Sequence, residues 1–155
     1  MKKVTQYISV CAFAATLAAS NAASAWPAQF IGAWKNVNPN SGGIIRLEIG
    51  PGMQLRAFGS CTPTPCNHGL TPLTTYGTSV TDANHRAATA GYNFSFKNVI
   101  MTMKLSGAWH LNMEHWNKFT DGSGRQNYLN GERFKKVSAA ELTEDFPSVD
   151  AEPKN

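Results

Sequence analysis

The chain has 155 residues and a formal net charge of +4, and 42% of its residues are hydrophobic. This length is enough for one domain with a sizeable core. The basic residues are scattered over several predicted strands rather than clustered on one, which argues against a nucleic-acid-binding protein.

Residues 1–25 have the pattern of a secretory signal peptide. Lys2 and Lys3 form a basic start, an apolar stretch over residues 7–19 follows, and small residues precede Trp26 as a cleavage site. The apolar stretch is too short to act as a membrane anchor. We therefore expect an exported bacterial protein, periplasmic or secreted, with no membrane insertion.

Two cysteines remain once the leader, which contains Cys11, is removed. Cys61 and Cys66 then form an even pair, and in the oxidising compartment that an exported chain enters we expect them to form a disulfide. The ring that they close is short, so the bond should stiffen one loop more than it stabilises the fold. A metal site or a redox pair is disfavoured, because the spacing is not C-x-x-C and no second cysteine pair exists.

The remaining chain predicts a series of β-strands separated by turn signals. In the clearest case Val99, Met101, Met103 and Leu105 alternate with more polar residues. Eight such strands in an up-and-down antiparallel order predict an all-β barrel that either holds one small ligand or has a packed interior. In chain order the predicted strands cover residues 30–36, 43–49, 53–60, about 70–76, 86–97, 99–105, 108–119 and 125–137.

The first predicted strand carries Gly32 two residues before Trp34. A glycine at this spacing lets the indole lie against close backbone at the floor of a barrel. An ordinary core tryptophan is the alternative interpretation of the same pattern.

Residues 138–155 differ from the predicted barrel, residues 26–137, in charge. The barrel has 11 Lys and Arg against 5 Asp and Glu, a net +6, whereas the last segment has one Lys against 5 acidic residues, a net −4. We expect a flexible, mostly disordered acidic tail, with a short helix starting near Ala139. The alternative is a tail that folds back on the basic barrel.

Three segments together resemble the avidin-like branch of the calycin barrels, a group that also includes the lipocalins. Residues 32–36 (Gly-Ala-Trp-Lys-Asn) are similar to the first avidin strand, residues 91–98 to a central strand that ends in an aromatic residue, Lys and Asn, and residues 132–137 to the closing strand. The three occur in the family's order and spacing, and the likeness covers most of residues 30–137. The loop at residues 61–69 is not an avidin feature and resembles one in small uncharacterised bacterial calycin-like domains.

The resemblance implies a ligand pocket in the barrel mouth with three polar positions. Asn36 stands where an Asn donates to the carbonyl oxygen of the ureido group of biotin. Ser60 stands where a Ser accepts from one ureido N–H, and Glu132 where an Asp accepts from the other, with one extra methylene.

The other positions of the implied pocket depart from the family pattern. Phe58 lacks the Tyr hydroxyl that would be a second donor to the ureido carbonyl, and Phe96 replaces a wall Trp. Met101 and Met103 replace a Ser and a Thr, while Trp116 matches another wall Trp across a one-residue gap. The Trp that an avidin subunit lends to its neighbour has no counterpart. Because a buried carbonyl that loses a donor costs about 1–3 kcal/mol, we expect a degenerate pocket that does not bind biotin tightly.

The strand alternation and the resemblance disagree about which faces point inward. The alternation puts Leu55 on the apolar face of its strand, whereas the resemblance puts Phe58 inward. Likewise, Trp109 and Leu111 share a face opposite to that of Trp116. A β-bulge would reconcile the two, and so would an outer apolar face that packs against another subunit, which leaves a homo-oligomer open.

We predict a non-enzymatic protein that binds a small ligand or a protein partner, with no cofactor and no metal. His110 and His115 are five residues apart on one strand, so they face opposite sides and cannot chelate one ion together. An enzyme with Glu114 and Glu132 as a carboxylate pair is a further possibility.

A protein-interaction module is the main alternative. Small exported calycin-like barrels with one disulfide resemble periplasmic metalloprotease inhibitors, whose free N-terminal segment enters the protease cleft. Residues 26–29 would be that segment here. The other interpretation of these residues is a hydrophobic plug on the barrel end.

Overall fold

The structure is a computed structural model that describes residues 27–138 and 140–142. The predicted signal peptide and most of the predicted acidic tail lie outside the described residues. Within them, no helix has the length and hydrophobicity needed to cross a membrane.

The described residues form nine β-strands in a single antiparallel sheet. Strands that follow one another in the sequence pair with each other, except β4 and β5, and β1 also pairs with β9, so that the sheet curls into a nearly closed barrel. The predicted all-β antiparallel barrel is therefore confirmed, but the predicted number of eight strands is wrong. The strands are β1 (Gly32–Asn36), β2 (Ile44–Ile49), β3 (Gln54–Gly59), β4 (Cys66–Pro72), β5 (Thr74–Tyr76), β6 (Ala87–Asn93), β7 (Lys97–Ser106), β8 (His110–Phe119) and β9 (Tyr128–Val137).

The additional strand arises where the chain breaks between β4 and β5. β4 pairs with β3, whereas β5 pairs with β6, so the chain changes its neighbour at Leu73. Pro72 ends β4 and has no N–H to donate to a ladder. The Leu73 N–H donates instead to the Met53 carbonyl, at 2.8 Å.

Side chains close the remaining seam of the barrel, between β4 and β6. The Tyr92 hydroxyl lies 3.1 Å from the Leu55 carbonyl oxygen and accepts from the Ala57 N–H at 3.2 Å. Thr71 Oγ1 donates to the Gly91 carbonyl at 2.6 Å. The two edges of the sheet are thus held together without a complete backbone ladder.

One end of the barrel interior is closed by apolar side chains. Trp34 and Phe30 are fully buried there, and the Trp34 indole N–H donates to the Phe30 carbonyl at 2.8 Å. The backbone conformation at position 32 also favours glycine. Gly32 has a φ of +128°, and a Cβ there would lie 2.9 Å from Cε of Lys136, whose ammonium lies 5.2 Å from the centre of the Trp34 ring.

Two segments beside the barrel bear on the predictions for the chain ends. Residues 27–30 form a turn, which Gln29 fixes by donating to the His85 carbonyl at 2.5 Å. After β9, residues 140–142 form a single helical turn, and Glu141 pairs with Lys135 of β9 at 2.8 Å. The short helix predicted near Ala139 is thus found at residues 140–142.

Candidate functional site: the barrel mouth

The end of the barrel opposite Trp34 is open and contains a cavity of about 200 Å³. Its apolar wall comes from Ile44, Val99 and Met101, whose side chains belong to the inner face of the sheet. Its polar wall comes from the end of β3, the start of β4, the start of β7, the end of β8 and the start of β9. The polar and charged residues that line it are Ser60, His68, Lys97, His115, Asn117, Tyr128 and Asn130.

The predicted disulfide forms one edge of this mouth. Cys61 and Cys66 are bonded, with their Cα atoms 5.3 Å apart, and both line the cavity. The bridge fixes the start of β4, from which the His68 imidazole packs edge-on against Phe94, with ring centres 5.3 Å apart. The disulfide therefore stiffens the segment that carries one wall of the site.

A directional chain of hydrogen bonds runs along the inner face of β7 and β8. Lys97 Nζ donates to Asn117 Oδ1 at 2.9 Å. This fixes the amide of Asn117, because an ammonium group only donates. Asn117 Nδ2 then faces His115 Nδ1 at 3.1 Å and donates to it. When neutral, the His115 imidazole must therefore carry its proton on Nε2.

The Nε2–H group of His115 has no hydrogen-bond partner among the described residues, although the residue is only 4% exposed. The nearest carboxylate oxygen, Glu132 Oε2, lies 3.8 Å away, which is too far for a hydrogen bond. Burial, followed by repulsion from Lys97 and His68, lowers the pKa of His115 to about 4. His115 is thus neutral at pH 7, and its proximity to Glu132 is not an ion pair.

Glu132 organises the loop between β1 and β2 beside the cavity. Its Oε1 accepts from Ser41 Oγ at 2.8 Å and from the Ile44 N–H at 2.9 Å. Burial raises the pKa of Glu132, and these two hydrogen bonds partly offset that effect. Gly43 lies so close that a Cβ at that position would overlap the carboxylate.

Aromatic rings and two cations lie beside the cavity, around Lys97, and are called the rim below. The rings of Tyr92, Phe94 and Phe96 are stacked in sequence, with neighbouring centres 5.9 and 6.0 Å apart. Lys97 Nζ lies 5.8 Å from the ring centres of both Phe94 and Phe96, and the Arg125 guanidinium lies 5.5 Å from that of Phe96. The rim thus combines flat apolar surface with positive charge.

Some of the residues that the resemblance assigned to a pocket do lie at this end. Met101 and Ser60 line the cavity, and Phe96 lies on the rim, largely exposed. Asn36 is buried near Glu132 and does not line the cavity; its Nδ2 donates to the Ile44 carbonyl at 2.7 Å and its Oδ1 accepts from the Asn38 N–H at 2.8 Å. Met103 faces inward and belongs to the apolar core.

Two of the assigned residues are elsewhere. Phe58 is buried but lies outside the core cluster, with the Arg46 guanidinium carbon 3.7 Å from its ring centre, whereas Leu55 of the same strand is in the core. Trp116 is exposed on the outer face of β8, because the β7–β8 register runs from one end to the other without a bulge. Trp109, which the alternation placed with Leu111, is exposed in the turn before β8.

Apart from Ser60, the residues that form the polar wall were not predicted from the sequence. Leu111 and Met113 were recognised as one face of β8, but the same alternation continues to His115 and Asn117. A polar pair that continues an inward-facing apolar row is the signal that would have identified them. No three His, Cys, Asp or Glu side chains of the described part of the chain are grouped as they would be in a metal site.

No known protein-family model matches the chain, and no curated protein matches it either.

Proposed function

We propose that this chain is an exported, non-enzymatic barrel of the calycin type that binds a small ligand in its mouth. The observation that carries the proposal is the His115 Nε2–H, a buried donor without an acceptor at the wall of a cavity. A buried polar group left unsatisfied costs about 1–3 kcal/mol, and a bound acceptor would remove that cost.

The cavity has the composition of a small-molecule site. Such sites have apolar walls with a few convergent polar groups, and here Ile44, Val99 and Met101 line the same space as His115 and Lys97. A volume of about 200 Å³ equals roughly seven water molecules at about 30 Å³ each. A compact ligand, or one end of a larger one, would fill it.

Biotin is not the ligand that this arrangement favours. In the avidin-like assignment Asn36 would donate to the ureido carbonyl, but its amide already donates to Ile44. Binding without catalysis is favoured because the neighbour of His115 is the amide of Asn117 and not a nucleophile.

The test is a ligand-observed NMR screen of the mature, oxidised chain against biotin and a library of compact fragments. We expect fragments that bind wild type and lose binding in His115→Phe, while Trp116→Phe on the outer face of β8 retains it. If every fragment that binds does so equally in both variants, or if none binds, the mouth is not a ligand site.

A protein partner is the second candidate, and an exposed apolar row on the outer face favours it. Ile100, Trp116 and Leu129 are neighbours across β7, β8 and β9 and are 58%, 49% and 46% exposed. Glu114 and Lys118 flank Trp116 on the same face of β8. Two copies packed with antiparallel β8 strands would therefore place each Glu114 opposite a Lys118.

Sedimentation at increasing concentration tests that arrangement. We expect the wild-type protein to form dimers and the Trp116→Glu variant to remain monomeric. A wild-type protein that is monomeric at all concentrations would contradict the dimer and would indicate that the apolar row binds a different protein. For the inhibitor-like alternative, deleting residues 26–29 separates two roles. A lower melting temperature is expected of a plug, whereas lost protease inhibition is expected of an arm, and the contacts of Gln29 favour the plug.

A further inference from the structure

We infer that the mouth selects a compact anion, a carboxylate on a flat apolar ring, and holds it against the His115 Nε2–H and the Lys97 ammonium. This inference rests on the proposed ligand-binding function and adds the chemical class of the ligand.

The first argument is the direction of the hydrogen-bond chain. Lys97 donates to Asn117, and Asn117 donates to His115. Because the first member has no acceptor lone pair, the direction of the chain cannot be reversed. Its last group is therefore a donor, and a ligand atom that meets it must be an acceptor.

The second argument is the set of donors around Lys97 and His115. Asn117 Oδ1 accepts from Lys97, and Glu132 Oε1 accepts from both Ser41 and the Ile44 backbone, so these two oxygens are engaged in hydrogen bonds. A carboxylate, which only accepts when ionised, matches the two donors Lys97 Nζ and His115 Nε2–H.

The third argument is charge. Lys97 is partly buried, and no carboxylate of the described residues lies within ion-pair distance of it. Arg125, which lies above the ring of Phe96, is already paired with Asp121, so the uncompensated charge is that of Lys97. A partly buried cation without a counter-ion is costly, so an anionic ligand gains from the field that the fold leaves uncompensated.

The fourth argument is shape. Val99 and Met101 line the cavity, and the Phe94 and Phe96 rings lie beside it, each with its centre 5.8 Å from Lys97 Nζ. Flat rings stack well on such aromatic surfaces. The volume of about 200 Å³ accommodates one ring and its substituent.

Three probes with one ring but different charges test the inference by calorimetric titration of the mature, oxidised chain at pH 7. The probes are benzoate, benzamide and benzylamine. We expect benzoate to bind about tenfold to hundredfold more tightly than benzamide, the gain of a hydrogen bond to a charged group. We expect no binding of benzylamine, and we expect salt to weaken benzoate binding.

Variants assign that preference to the mouth. Lys97→Met should lower benzoate affinity by about tenfold or more, and Lys97→Arg should restore part of it. The matched control is Lys104→Met, which removes a cation from the exposed face of the same strand and should change nothing.

The outcomes separate the two proposals. If benzamide or benzylamine binds as tightly as benzoate and depends on His115, the mouth is a ligand site but the anion preference is wrong. If benzoate binds equally well to Lys97→Met and wild type, the anion preference is also wrong. If none of the three probes binds, the inference fails, and the fragment screen separately decides whether the mouth binds anything else.

Discussion

At the scale of single residues, the chemistry of the mouth depends on which nitrogen of His115 carries the proton. Asn117, two residues along the strand, determines this tautomer. Lys97 orients the Asn117 amide, and the amide Nδ2 then donates to Nδ1 of His115, which leaves the proton on Nε2. Asn117 is therefore a positioning residue for the buried Nε2–H donor of His115, a residue that lines the cavity.

Asn117→Asp should reverse this tautomer. A carboxylate accepts instead of donating, so Nδ1 would carry the proton and the pKa of His115 would rise. Imidazole ¹⁵N spectra measure the change directly. Wild type should show a protonated Nε2 and a bare Nδ1, and Asn117→Asp the opposite or a fully charged ring. A protonated Nδ1 in wild type would contradict the proposed orientation of Asn117.

Stability should depend on pH through His115. Its pKa is about 4 in the folded chain and has the ordinary value of 6.5 when unfolded. Between these values the unfolded chain binds the proton more tightly, so the free energy of unfolding falls as pH drops through this window and levels off below it. The loss from pH 7 to pH 5 should be on the order of 2 kcal/mol.

The groups that face His115 modify this dependence. The pKa of His68 is lowered by burial and by Lys97, so His68 acts in the same direction, whereas the raised pKa of Glu132 opposes it. Urea unfolding at pH 7 and pH 5 should therefore be compared between wild type and His115→Phe. Equal pH-dependent losses in the two proteins would show that His115 is not buried in neutral form.

Two adjacent glycines in the β1–β2 loop provide a matched pair of substitutions. A Cβ at Gly43 would overlap Glu132 Oε1, whereas a Cβ at Gly42 has no atom within 4 Å. Gly43→Ala should displace the carboxylate from Ser41 and Ile44 and destabilise the fold by about 1–3 kcal/mol. Gly42→Ala should stay within about 0.5 kcal/mol of wild type. Equal denaturation midpoints for both variants would contradict the tight packing of Glu132.

At the scale of elements, the sequence predicted strands best where apolar and polar residues alternate without interruption. The inward face of β7 was predicted correctly from Val99 to Leu105. The β4 strand was missed over its first half, because residues 66–72 are rich in turn-forming and polar types and their pairing is decided by distant strands. For the same reason, the sequence did not indicate that the chain changes its pairing partner at Leu73, from β3 to β6.

The site was less predictable than the fold. The resemblance to avidin placed Trp116 inward, but the continuous register of β8 fixes it outward. Hydrophobicity also gave no reason to place His115 and Asn117 inside. Only their position two and four residues beyond Met113 on the same face indicates it.

At the scale of the whole molecule, the barrel is closed at one end by Trp34 and Phe30 and is polar at its open end. The barrel stays closed along its side only if β4 and β6 remain in contact, and that contact depends on the hydrogen bonds of the buried Tyr92 hydroxyl. Burial raises the pKa of this hydroxyl to about 12.

Tyr92→Phe should therefore lower the free energy of unfolding by about 1–3 kcal/mol, because the Ala57 N–H loses its acceptor inside the barrel. Tyr76→Phe is the control, since the Tyr76 hydroxyl bonds to Thr89 Oγ1 on the exposed surface. Denaturant unfolding of the two variants checks the prediction. A loss in Tyr76→Phe as large as that in Tyr92→Phe would contradict a closing role for Tyr92.

The central claim is that the buried Nε2–H of His115 donates a hydrogen bond to an acceptor atom of a bound ligand. The most direct measurement is the His115 imidazole ¹H–¹⁵N spectrum of the mature, oxidised protein at pH 7, recorded during titration with the tightest fragment from the screen. We predict that the Nε2–H proton shifts downfield and becomes protected from exchange as the site fills. Saturable binding that leaves this resonance unchanged would contradict the account.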